Sequence, residues 1–581
     1  MSRLGFFIAL ACGTAATLPT AAQESQFVPV TDEILENPAP ADWLMWRRTQ
    51  NHWAYSPLDQ VNRRNVGQLR LVWTRPIGQG VQEGTPLVYD GIMYFPNPND
   101  ITQAIEADTG DLIWEYRRPV QDDNNDYIPF PSINRNLAIY GNYILDNGAD
   151  NYAYALDART GELDWETMIL DYRRGAQHSS GPIIANGKVV SGRSCEPEGG
   201  PDACVITAFD AMTGQEVWRT RLIPGPGEPG DETWGDIPFE ERRHVGSWMV
   251  SSYDPELDQI YVGTSVTSPA PKFMLAGNDE QYLYHNSTLA LDADTGEIVW
   301  YFQHVVDHWD LDHPFERLLV DTAVAPDPDS VEWINPRVRS GEPRKVITGV
   351  PGKTGLVYTL DRESGQFLWA RPTVQQNVIE SINTESGAAT VAAEKMFTRA
   401  GQEILICPSL LGGKNFHAGA YSPLTGLMYY PLQNTCMTSR SVSDTPSLDD
   451  LYGLANRDQI APGEENVGTI EAISVETGAT VWKHEQRAGV TSLMATGSGL
   501  LFGGDVNGRF RAYDQRTGEI LWEVNLGSHV TGYPATFAVD GRQYVAISTG
   551  GSLNTFGLAS LTPDQRAAGT ANNLYVFALP E

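Results

Sequence analysis

The sequence predicts an all-β fold and, within that class, an eight-bladed β-propeller with tryptophan-docking repeats. An eleven-residue unit, A-x-D-x-x-T-G-x-x-x-W, recurs along most of the chain, and short apolar segments with turn residues precede most copies. No strand-plus-helix pattern, which a solenoid of similar length requires, accompanies the repeats. The full units occupy 104–114, 155–165, 208–218, 290–300, 359–369, 472–482 and 512–522. A degenerate copy at 421–430 lacks the tryptophan and brings the predicted count to eight.

Each unit is typical of a β-hairpin. The apolar residues before Asp end one strand, D-x-x-T-G forms a tight turn in which Gly supplies a positive φ, and the next strand ends in Trp. A second hairpin signal, such as PLVYDGIMYF at 86–95, precedes most units, which gives the four short strands of a propeller blade. We expect each Trp to pack between neighbouring blades.

The two ends of the chain are expected to close the ring. Segments 69–78 and 573–580 both have strand patterns, and their pairing would remove exposed sheet edges. The spacing between units widens at 219–289, 370–420 and 431–471. These extra residues are predicted to form loops on one face, where functional residues usually lie.

Composition excludes some partners and suggests a compartment. The 581 residues carry a net charge of −33, which argues against nucleic acid or an anionic membrane as a partner. We interpret the charge as a solvated acidic surface, with a cationic protein partner as the alternative. Residues 1–22 have the pattern of a cleaved signal peptide, leaving one propeller domain at 23–581, exported to the periplasm. No segment approaches the roughly 20 apolar residues of a membrane span.

Cysteine use fits export. Four cysteines remain after the signal segment, and an even number in an exported chain predicts two disulfides. The sequence contains no Cys-x-x-Cys-His, so we expect no c-type haem within this chain.

Three acids within six positions indicate a site. Asp307, Asp310 and Asp312 directly follow the strand pattern of the fourth unit. In and around this region the chain resembles the pyrroloquinoline quinone (PQQ) dependent alcohol dehydrogenases of the methanol and ethanol dehydrogenase type, over nearly all of 43–580. The resemblance is carried, in order, by QEGTPLVYDGIMY, INRNLAIYG, SWMVSSYDPELDQIYVGT, DHWDLD, LLGGKNFHAGAYSPLTGL and GGDVNGRFRAYDQRTGEILWE.

The resemblance implies a set of PQQ contacts. PQQ is a flat tricarboxylate that needs cations, hydroxyl donors and an aromatic platform. The implied contacts are Glu83, Arg135, Ser179, Ser194, Trp248, Lys353 and Asn415. Alternatives remain at this stage: Trp248 as an indole that packs between blades, and Arg135 and Lys353 as surface cations.

The resemblance also implies a catalytic pair and a metal ion. Asp310 matches the family's catalytic base, and Lys353 matches the cation that contacts the quinone oxygens. A hard cation on oxygen ligands is expected, with calcium as the default and a lanthanide as the alternative. The implied metal ligands are Asp310, Asp312, Thr267, and Glu196 or Glu198. Val266 stands where the family has its ligand asparagine, so we expect Asp312 to compensate, against the alternative that Asp307 and Asp312 are solvated loop acids.

Departures from the family pattern bear on the substrate. Pro129 and Phe130 replace a vicinal cysteine pair, and Phe416 replaces a tryptophan. We therefore expect an alcohol bulkier than methanol: a secondary alcohol, a polyol, or a mycotoxin such as a trichothecene. Electrons are expected to leave to a soluble cytochrome c or another external acceptor. The rival function is a non-catalytic propeller scaffold of an outer-membrane assembly complex, which needs neither Asp310 nor Lys353.

The resemblance implies one disulfide, and the remaining two cysteines are expected to form the other. Cys407 and Cys436 have the spacing of the family's disulfide. Cys195 and Cys204 would close the loop CEPEGGPDAC and stiffen the predicted metal ligand within it.

Overall fold

The chain is all-β, as predicted. A computed structural model describes Met1 and residues 27–128, 130, 132–195, 199–442, 452–565 and 567–581. The predicted signal peptide lies almost entirely outside these residues. None of the described helices is long and apolar enough to cross a bilayer.

The described residues form eight sheets that each contain four antiparallel strands in hydrogen-bonded order. Sheet 1 contains Leu87–Tyr89, Ile92–Asn97, Ile101–Glu106 and Leu112–Arg117. Sheet 2 contains Ala138–Tyr140, Tyr143–Asn147, Tyr152–Asp157 and Leu163–Met168. Sheet 3 contains Ile183–Ala185, Lys188–Ser191, Val205–Asp210 and Glu216–Arg221. Sheet 4 contains Ser252–Asp254, Gln259–Gly263, Ser287–Asp292 and Ile298–Gln303.

The second half of the chain continues the series. Sheet 5 contains Leu318–Val324, Glu342–Gly349, Leu356–Asp361 and Phe367–Pro372, with Trp333–Ile334 added at its edge. Sheet 6 contains Ala420–Ser422, Leu427–Gln433, Gly468–Ser474 and Thr480–Gln486. Sheet 7 contains Val490–Thr496, Leu500–Asp505, Arg509–Asp514 and Ile520–Asn525, with Tyr55–Ser56 added. Sheet 8 contains Ala535–Val539, Arg542–Thr549, Asn573–Ala578 and Arg70–Pro76.

Smaller elements lie between the sheets. The α-helices are α1, Asp32–Glu36, and α2, Leu553–Ser560. Short sheets pair Ala176–Gln177 with Ser194–Cys195, Ile379–Ile382 with Ala389–Val391, and Glu403–Ile406 with Thr435–Ser441 and Leu454–Ile460. The 3₁₀ turns are Val66–Gln68, Asn124–Asp126, Tyr172–Arg174, Pro201–Ala203, Asp231–Trp234, Phe239–Glu241, Lys272–Met274 and Ala393–Lys395.

The seven full repeat units form the hairpins that join the third and fourth strands of sheets 1 to 7. In the second unit, the Asp157 carboxylate accepts hydrogen bonds from the backbone N–H groups of Arg159 and Thr160, at 2.9 and 3.0 Å. Gly161 follows with a φ of 73°, which only glycine adopts without strain. The D-x-x-T-G prediction is confirmed in these turns.

The degenerate unit at 421–430 is not an eighth copy, so that part of the repeat count was wrong. Its turn joins the first two strands of sheet 6, whose third and fourth strands already contain the unit at 472–482. It resembles the others because any tight turn between two short strands favours Thr-Gly. The eighth sheet comes from the chain ends instead: Arg70–Pro76 pairs antiparallel with Asn573–Ala578, which confirms the predicted pairing of the terminal segments.

Seven tryptophan side chains lie against a glycine in the repeat turn of another sheet. A Cβ added to Gly161 would lie 2.6 Å from the Trp114 ring, and Trp114 Nε1 donates to Ala158 O at 3.0 Å. The ring therefore lies flat on the repeat turn of the following sheet, where a larger residue would clash. The same close approach recurs for Trp73 on Gly110, Trp165 on Gly214, Trp218 on Gly296, Trp300 on Gly365, Trp369 on Gly478 and Trp482 on Gly518.

Candidate active site

The predicted site residues lie in two kinds of connection. Some follow the fourth strand of one sheet and precede the first strand of the next: Glu83, Arg135, Ser179, Trp248, Asp310, Asp312 and Asn415. Others lie between the second and third strands: Ser194, Thr267 and Lys353. In an antiparallel sheet the second and fourth strands end at the same edge, so all these connections emerge on one face, the site face. Glu196 and Glu198 lie outside the described residues.

Arg135 is a buried hub on the site face. Its guanidinium forms an ion pair with Glu83 at 2.6 Å, and its Nη1 donates to Ser179 O at 2.8 Å and to Trp248 O at 2.9 Å. The guanidinium also lies 5.2 Å from the centroid of the Trp248 ring. Burial raises the pKa of Glu83 above its ordinary value, although Arg135 opposes that shift. Arg135 thus joins three predicted contacts, and its alternative as a surface cation was wrong.

Trp248 is half-buried and is supported from within the site face. Phe315 meets it edge-on, with ring centroids 5.4 Å apart, and the Lys414 ammonium lies 4.3 Å from the centroid of Phe315. Lys414 is fully buried and pairs with Glu316 at 2.6 Å. Trp248 therefore packs against loop residues of the site face, which does not support the alternative of an indole packed between blades.

The remaining predicted contacts differ in how their polar groups are used. The Ser179 carbonyl oxygen accepts a hydrogen bond from Arg135. Ser194 lies close to the segment that carries Trp248, because a Cβ added to Gly246 would lie 3.0 Å from the Ser194 Cα. The Asn415 amide is engaged within its own loop. It donates to Leu411 O at 3.1 Å and accepts from its neighbour's N–H at 2.8 Å. No sequence pattern indicates this local hydrogen bonding of the Asn415 amide.

Asp310, Lys353 and Asp312 form one charged group. Lys353 Nζ lies 3.2 Å from Asp310 Oδ1 and 2.9 Å from Asp312 Oδ2, and all three side chains are buried. The second oxygen of Asp312 accepts from the backbone N–H of Val266 at 2.8 Å. Asp310 has a φ of 67°, in the left-handed region that Asp tolerates better than most residues. The alternative that Lys353 is a surface cation was therefore wrong.

Asp307 plays a different part from its two neighbours. Its carboxylate accepts from the backbone N–H groups of Trp309 and Leu311, at 2.7 and 2.5 Å, and from Asn286 Nδ2 at 3.1 Å. It thus shapes the turn that presents Asp310. Asp307 is 0% and Asp312 5% exposed, so the alternative of solvated loop acids was wrong for both.

One buried cation shared by two buried carboxylates separates their proton affinities. Burial raises the pKa of Asp310 well above its ordinary value, beyond what Lys353 offsets. Burial also disfavours ionised Asp312, but Lys353 and the Val266 N–H outweigh it and hold the pKa of Asp312 below its ordinary value. For Lys353, burial opposes the charge, while Asp310 and Asp312 raise its pKa above the ordinary value. The group is therefore suited to exchange a proton at Asp310.

The structure adds residues that the sequence did not reveal. Lys272 is fully buried, its Nζ donates to Ala270 O at 2.8 Å, and burial lowers its pKa to about 7. His308 is buried, and neither of its ring nitrogens has a hydrogen-bond partner among the described residues. The only sequence signal for Lys272 was its place in the widened spacing at 219–289.

The donor set suits a cation only in part. Asp310 and Asp312 supply carboxylate oxygens of the kind that calcium and lanthanides prefer. Thr267 Oγ1 donates to Arg243 O at 2.9 Å, and it is the backbone of Val266 that meets Asp312. In the part of the chain that the structure describes, no group of three or more His, Cys, Asp or Glu residues has a metal-binding arrangement. Glu196 and Glu198, the other predicted carboxylate ligands, lie outside the described residues.

Comparison with known proteins decides the family. A family model described as "PQQ: Glucose/ethanol/alcohol dehydrogenase, beta-propeller domain" matches residues 43–384 and 456–545. The chain belongs to this family. The dehydrogenase subunit of alcohol dehydrogenase (quinone) from Komagataeibacter europaeus is 31% identical over 578 residues, which cover 93% of this chain and 75% of the relative.

The names of two further relatives of this PQQ-family chain mention rare-earth metals. The lanthanide-dependent methanol dehydrogenase of Methylacidiphilum fumariolicum (strain SolV) is 31% identical over 605 residues, which cover 94% of each chain. The solved structure of a europium-containing methanol dehydrogenase matches with a TM-score of 0.84 at 28% identity, over 94% of this chain and 100% of that one.

The cysteines of this PQQ-family chain pair as predicted. Cys195 bonds to Cys204, and Cys407 bonds to Cys436. The first disulfide begins directly before the predicted ligand segment at 196–198. Phe416, which stands in place of a tryptophan, is buried with its ring 5.5 Å from the Arg135 guanidinium, so it belongs to the packing around that cation.

Proposed function

We propose that this chain is a periplasmic PQQ-dependent dehydrogenase that oxidises an alcohol to the carbonyl compound. The observation that carries the proposal is the buried Asp310–Lys353–Asp312 group on the same face as the Arg135–Trp248 platform. A proton-accepting carboxylate beside a cation and an aromatic platform is what alcohol oxidation by a bound quinone requires.

Trp248, Arg135, Ser194 and Lys353 are proposed to hold PQQ. The fit rests on donor chemistry: the indole gives a flat surface, the two cations suit carboxylates and quinone oxygens, and the serine hydroxyl donates a hydrogen bond. When bound, the quinone accepts two electrons and the cation draws electron density from its carbonyl oxygen. Ser179 and Asn415 are proposed to complete the contacts, after local rearrangement of the Asn415 amide.

Asp310 is proposed to take the proton from the substrate hydroxyl at a carboxylate oxygen. Its raised pKa makes the carboxylate a stronger proton acceptor. Lys353 Nζ lies 3.2 Å from Asp310 Oδ1, where it opposes that rise and orients the carboxylate. Asp307 fixes the turn through its bonds to the backbone of Trp309 and Leu311, so it has a positioning role.

Asp312 is proposed to serve the metal in place of the family's asparagine, which is Val266 here. Asp310, Glu196 or Glu198, and Thr267 would be the other ligands. Calcium is the expected ion, because oxygen ligands with two or more carboxylates suit it. The names of two relatives, which mention a lanthanide and europium, support a trivalent ion as the alternative.

The fold is proposed to be an eight-bladed propeller in which sheets 1 to 8 are the blades. Sheet 8 would close the ring through the pairing of Arg70–Pro76 with Asn573–Ala578. The recurrent contacts of Trp with Gly support the tryptophan-docking interpretation, since they join sheet 8 to sheet 1 and each of sheets 1 to 6 to its successor. A ring of this kind brings every connection of the site face to one centre.

The substrate is proposed to be bulkier than methanol, in the class of secondary alcohols, polyols or mycotoxins such as trichothecenes. The support is the sequence: Pro129 and Phe130 replace the family's vicinal cysteine pair. Electrons are proposed to leave to a separate acceptor, because the sequence contains no Cys-x-x-Cys-His. The scaffold alternative gives no reason to bury Asp310, Lys353 and Asp312 together.

Substitution of the proton acceptor tests the proposal. We expect Asp310→Asn to lower kcat for dye-linked alcohol oxidation by about 10²–10⁴-fold, the usual contribution of a positioned base, with PQQ affinity within about threefold of wild type. Asp321→Asn removes the same charge at an exposed position of sheet 5 and should leave kcat unchanged. Full activity of Asp310→Asn would remove Asp310 as the base.

A further inference from the structure

A cavity of about 280 Å³ lies among the first strands of sheets 4, 5 and 6. Its lining includes Pro255, in the turn after the first strand of sheet 4, and Arg362, in the turn between the third and fourth strands of sheet 5. These turns emerge opposite the site face, because successive strands of an antiparallel sheet alternate in direction. The cavity, which we call the rear cavity, is therefore separate from the candidate active site.

The N-terminal segment 50–54 forms one wall of the rear cavity. Gln50 O accepts from Tyr253 N, in the first strand of sheet 4, at 3.2 Å. Trp53 O accepts from Tyr421 N, in the first strand of sheet 6, at 2.8 Å. Backbone hydrogen bonds to two sheets hold this wall, so the rear cavity is a preformed part of the fold.

Two aromatic rings line the rear cavity together. Trp53 and Tyr421 meet edge to face, with ring centroids 4.9 Å apart. Trp53 Nε1 donates to Leu319 O at 2.7 Å, which fixes the indole and uses its one donor. The indole therefore offers a ligand its π face, and such a face attracts an organic ammonium group.

The charges that line the rear cavity are mostly negative. Among the lining residues that the structure describes, Arg362 is the one cation, and it pairs with Asp254 and Asp321 at 2.8 Å each. Glu36, the last residue of helix α1, is exposed and adds a third carboxylate. Because Asp254 and Asp321 already hold Arg362, Glu36 is the carboxylate that a cationic ligand would meet.

Neighbouring charges do not reverse this balance. Lys345, opposite Asp321 in sheet 5, pairs with Glu256 at 2.5 Å, so that pair adds no net charge. Glu33, also on α1, is exposed and adds a further negative charge. The rear cavity therefore disfavours an anionic ligand and favours a cationic one.

A buried amide in the rear cavity lacks a partner. Gln50 lines the cavity and is 8% exposed, and its Nε2 has no hydrogen-bond partner among the described residues. A buried donor that stays unpaired is costly, and an oxygen of a bound ligand would satisfy it.

We propose that the rear cavity binds a small organic ammonium compound that carries an acceptor oxygen. The ammonium lies against the Trp53 and Tyr421 rings within reach of the Glu36 carboxylate, and the oxygen accepts from Gln50 Nε2. Aromatic rings suit a methylated ammonium better than a metal ion such as calcium, which takes oxygen ligands on all sides. This binding site goes beyond the proposed function and does not depend on it.

The test is calorimetric titration of the full-length chain, in the presence of PQQ and calcium, with the methyl ether of choline. This probe has no hydroxyl group to oxidise. We expect one molecule to bind per chain and the melting temperature to rise with its concentration. The neutral analogue, with carbon in place of nitrogen, should bind at least tenfold more weakly, because it keeps the shape and loses the charge.

Two variants and a matched control locate the binding. Glu36→Gln should weaken binding of the ether at least fivefold. Glu33→Gln removes the same charge from the same helix at an exposed position that does not line the cavity, so it should bind within twofold of wild type. Gln50→Met should weaken binding at least fivefold without lowering the melting temperature of the ligand-free protein, because it removes an unpartnered amide.

The outcomes separate this site from the proposed function. No binding of the ether at millimolar concentration, or equal affinities for the ether and its neutral analogue, would overturn the ammonium site. Unchanged binding in both Glu36→Gln and Gln50→Met, or an equal loss in Glu33→Gln, would also overturn it. Absence of alcohol oxidation would count against the proposed function alone, because the titration needs no turnover.

Discussion

Removal of the Lys353 ammonium tests whether Asp310 and Asp312 form a cation site. In Lys353→Met the two buried carboxylates lose the charge that lies 3.2 and 2.9 Å from them. Breaking a buried ion pair by removing one partner costs about 3–5 kcal/mol, because the other charge stays buried without compensation. Without Lys353, nothing offsets the burial of Asp310, so we expect it to take up a proton; only Asp312 is then left ionised, and the cost stays near that of one pair.

Calcium should restore much of this loss. A cation that binds only the folded state at 100 times its dissociation constant adds about 2.7 kcal/mol of stability, and with Lys353 absent it meets no competing ammonium. We therefore expect the calcium-induced gain in unfolding free energy to be larger in Lys353→Met than in wild type. Denaturant unfolding followed by circular dichroism, with and without calcium chloride and without PQQ, measures both gains.

Lys414→Met is the matched control. Lys414 and Glu316 are both fully buried and pair at 2.6 Å, so this variant should lose a similar free energy. Its response to calcium should equal that of wild type, because neither residue belongs to the Asp310–Lys353–Asp312 group. Identical calcium responses of the two lysine variants would refute the assignment of the cation site.

Three other predictions follow from single contacts. Asp312→Ala should weaken calcium affinity, measured by calorimetry, far more than PQQ affinity; equal losses would remove Asp312 as a ligand. Burial raises the pKa of Asp100 to about 8, so the folded protein keeps a proton that the unfolded chain loses, and the contribution of Asp100 to stability should fall by about 1.4 kcal/mol per pH unit as pH rises from roughly 4 to 8. The thermal stability of Asp100→Asn relative to wild type should therefore increase as pH rises over that range. A difference in stability between the two proteins that does not change with pH would contradict the raised pKa of Asp100. Gly161→Ala should cost about 1–3 kcal/mol more than Gly499→Ala, since both have positive φ but only Gly161 has the Trp114 ring against it.

The repeat turns were predictable because their chemistry is local. Asp157 and Gly161 act within five residues of each other, so the eleven-residue pattern contains everything that defines the turn. The same local pattern led to a wrong prediction of an eighth repeat at 421–430, where a tight turn with Thr-Gly joins the first and second strands of sheet 6. A turn motif specifies a hairpin and leaves open which hairpin of a sheet it belongs to.

The residues of the candidate site were predicted from the family resemblance. Arg135, Trp248 and Asp310 were identified through motifs, and the structure places them on one face. The use of the Asn415 amide and the burial of Lys272 depend on loops from different sheets that pack together. Such contacts join residues far apart in sequence, so no local pattern encodes them.

Alcohol-dependent reduction of a dye acceptor by the reconstituted protein tests the central claim most directly. The metal-free protein without PQQ is compared with protein given PQQ, calcium or lanthanum, and both, against a panel of primary alcohols, secondary alcohols and polyols. The account predicts dye reduction only when PQQ and a cation are both present, with one carbonyl product for every two electrons counted in the dye. Dye reduction without PQQ, or none with any alcohol although PQQ binds one-to-one, would contradict it.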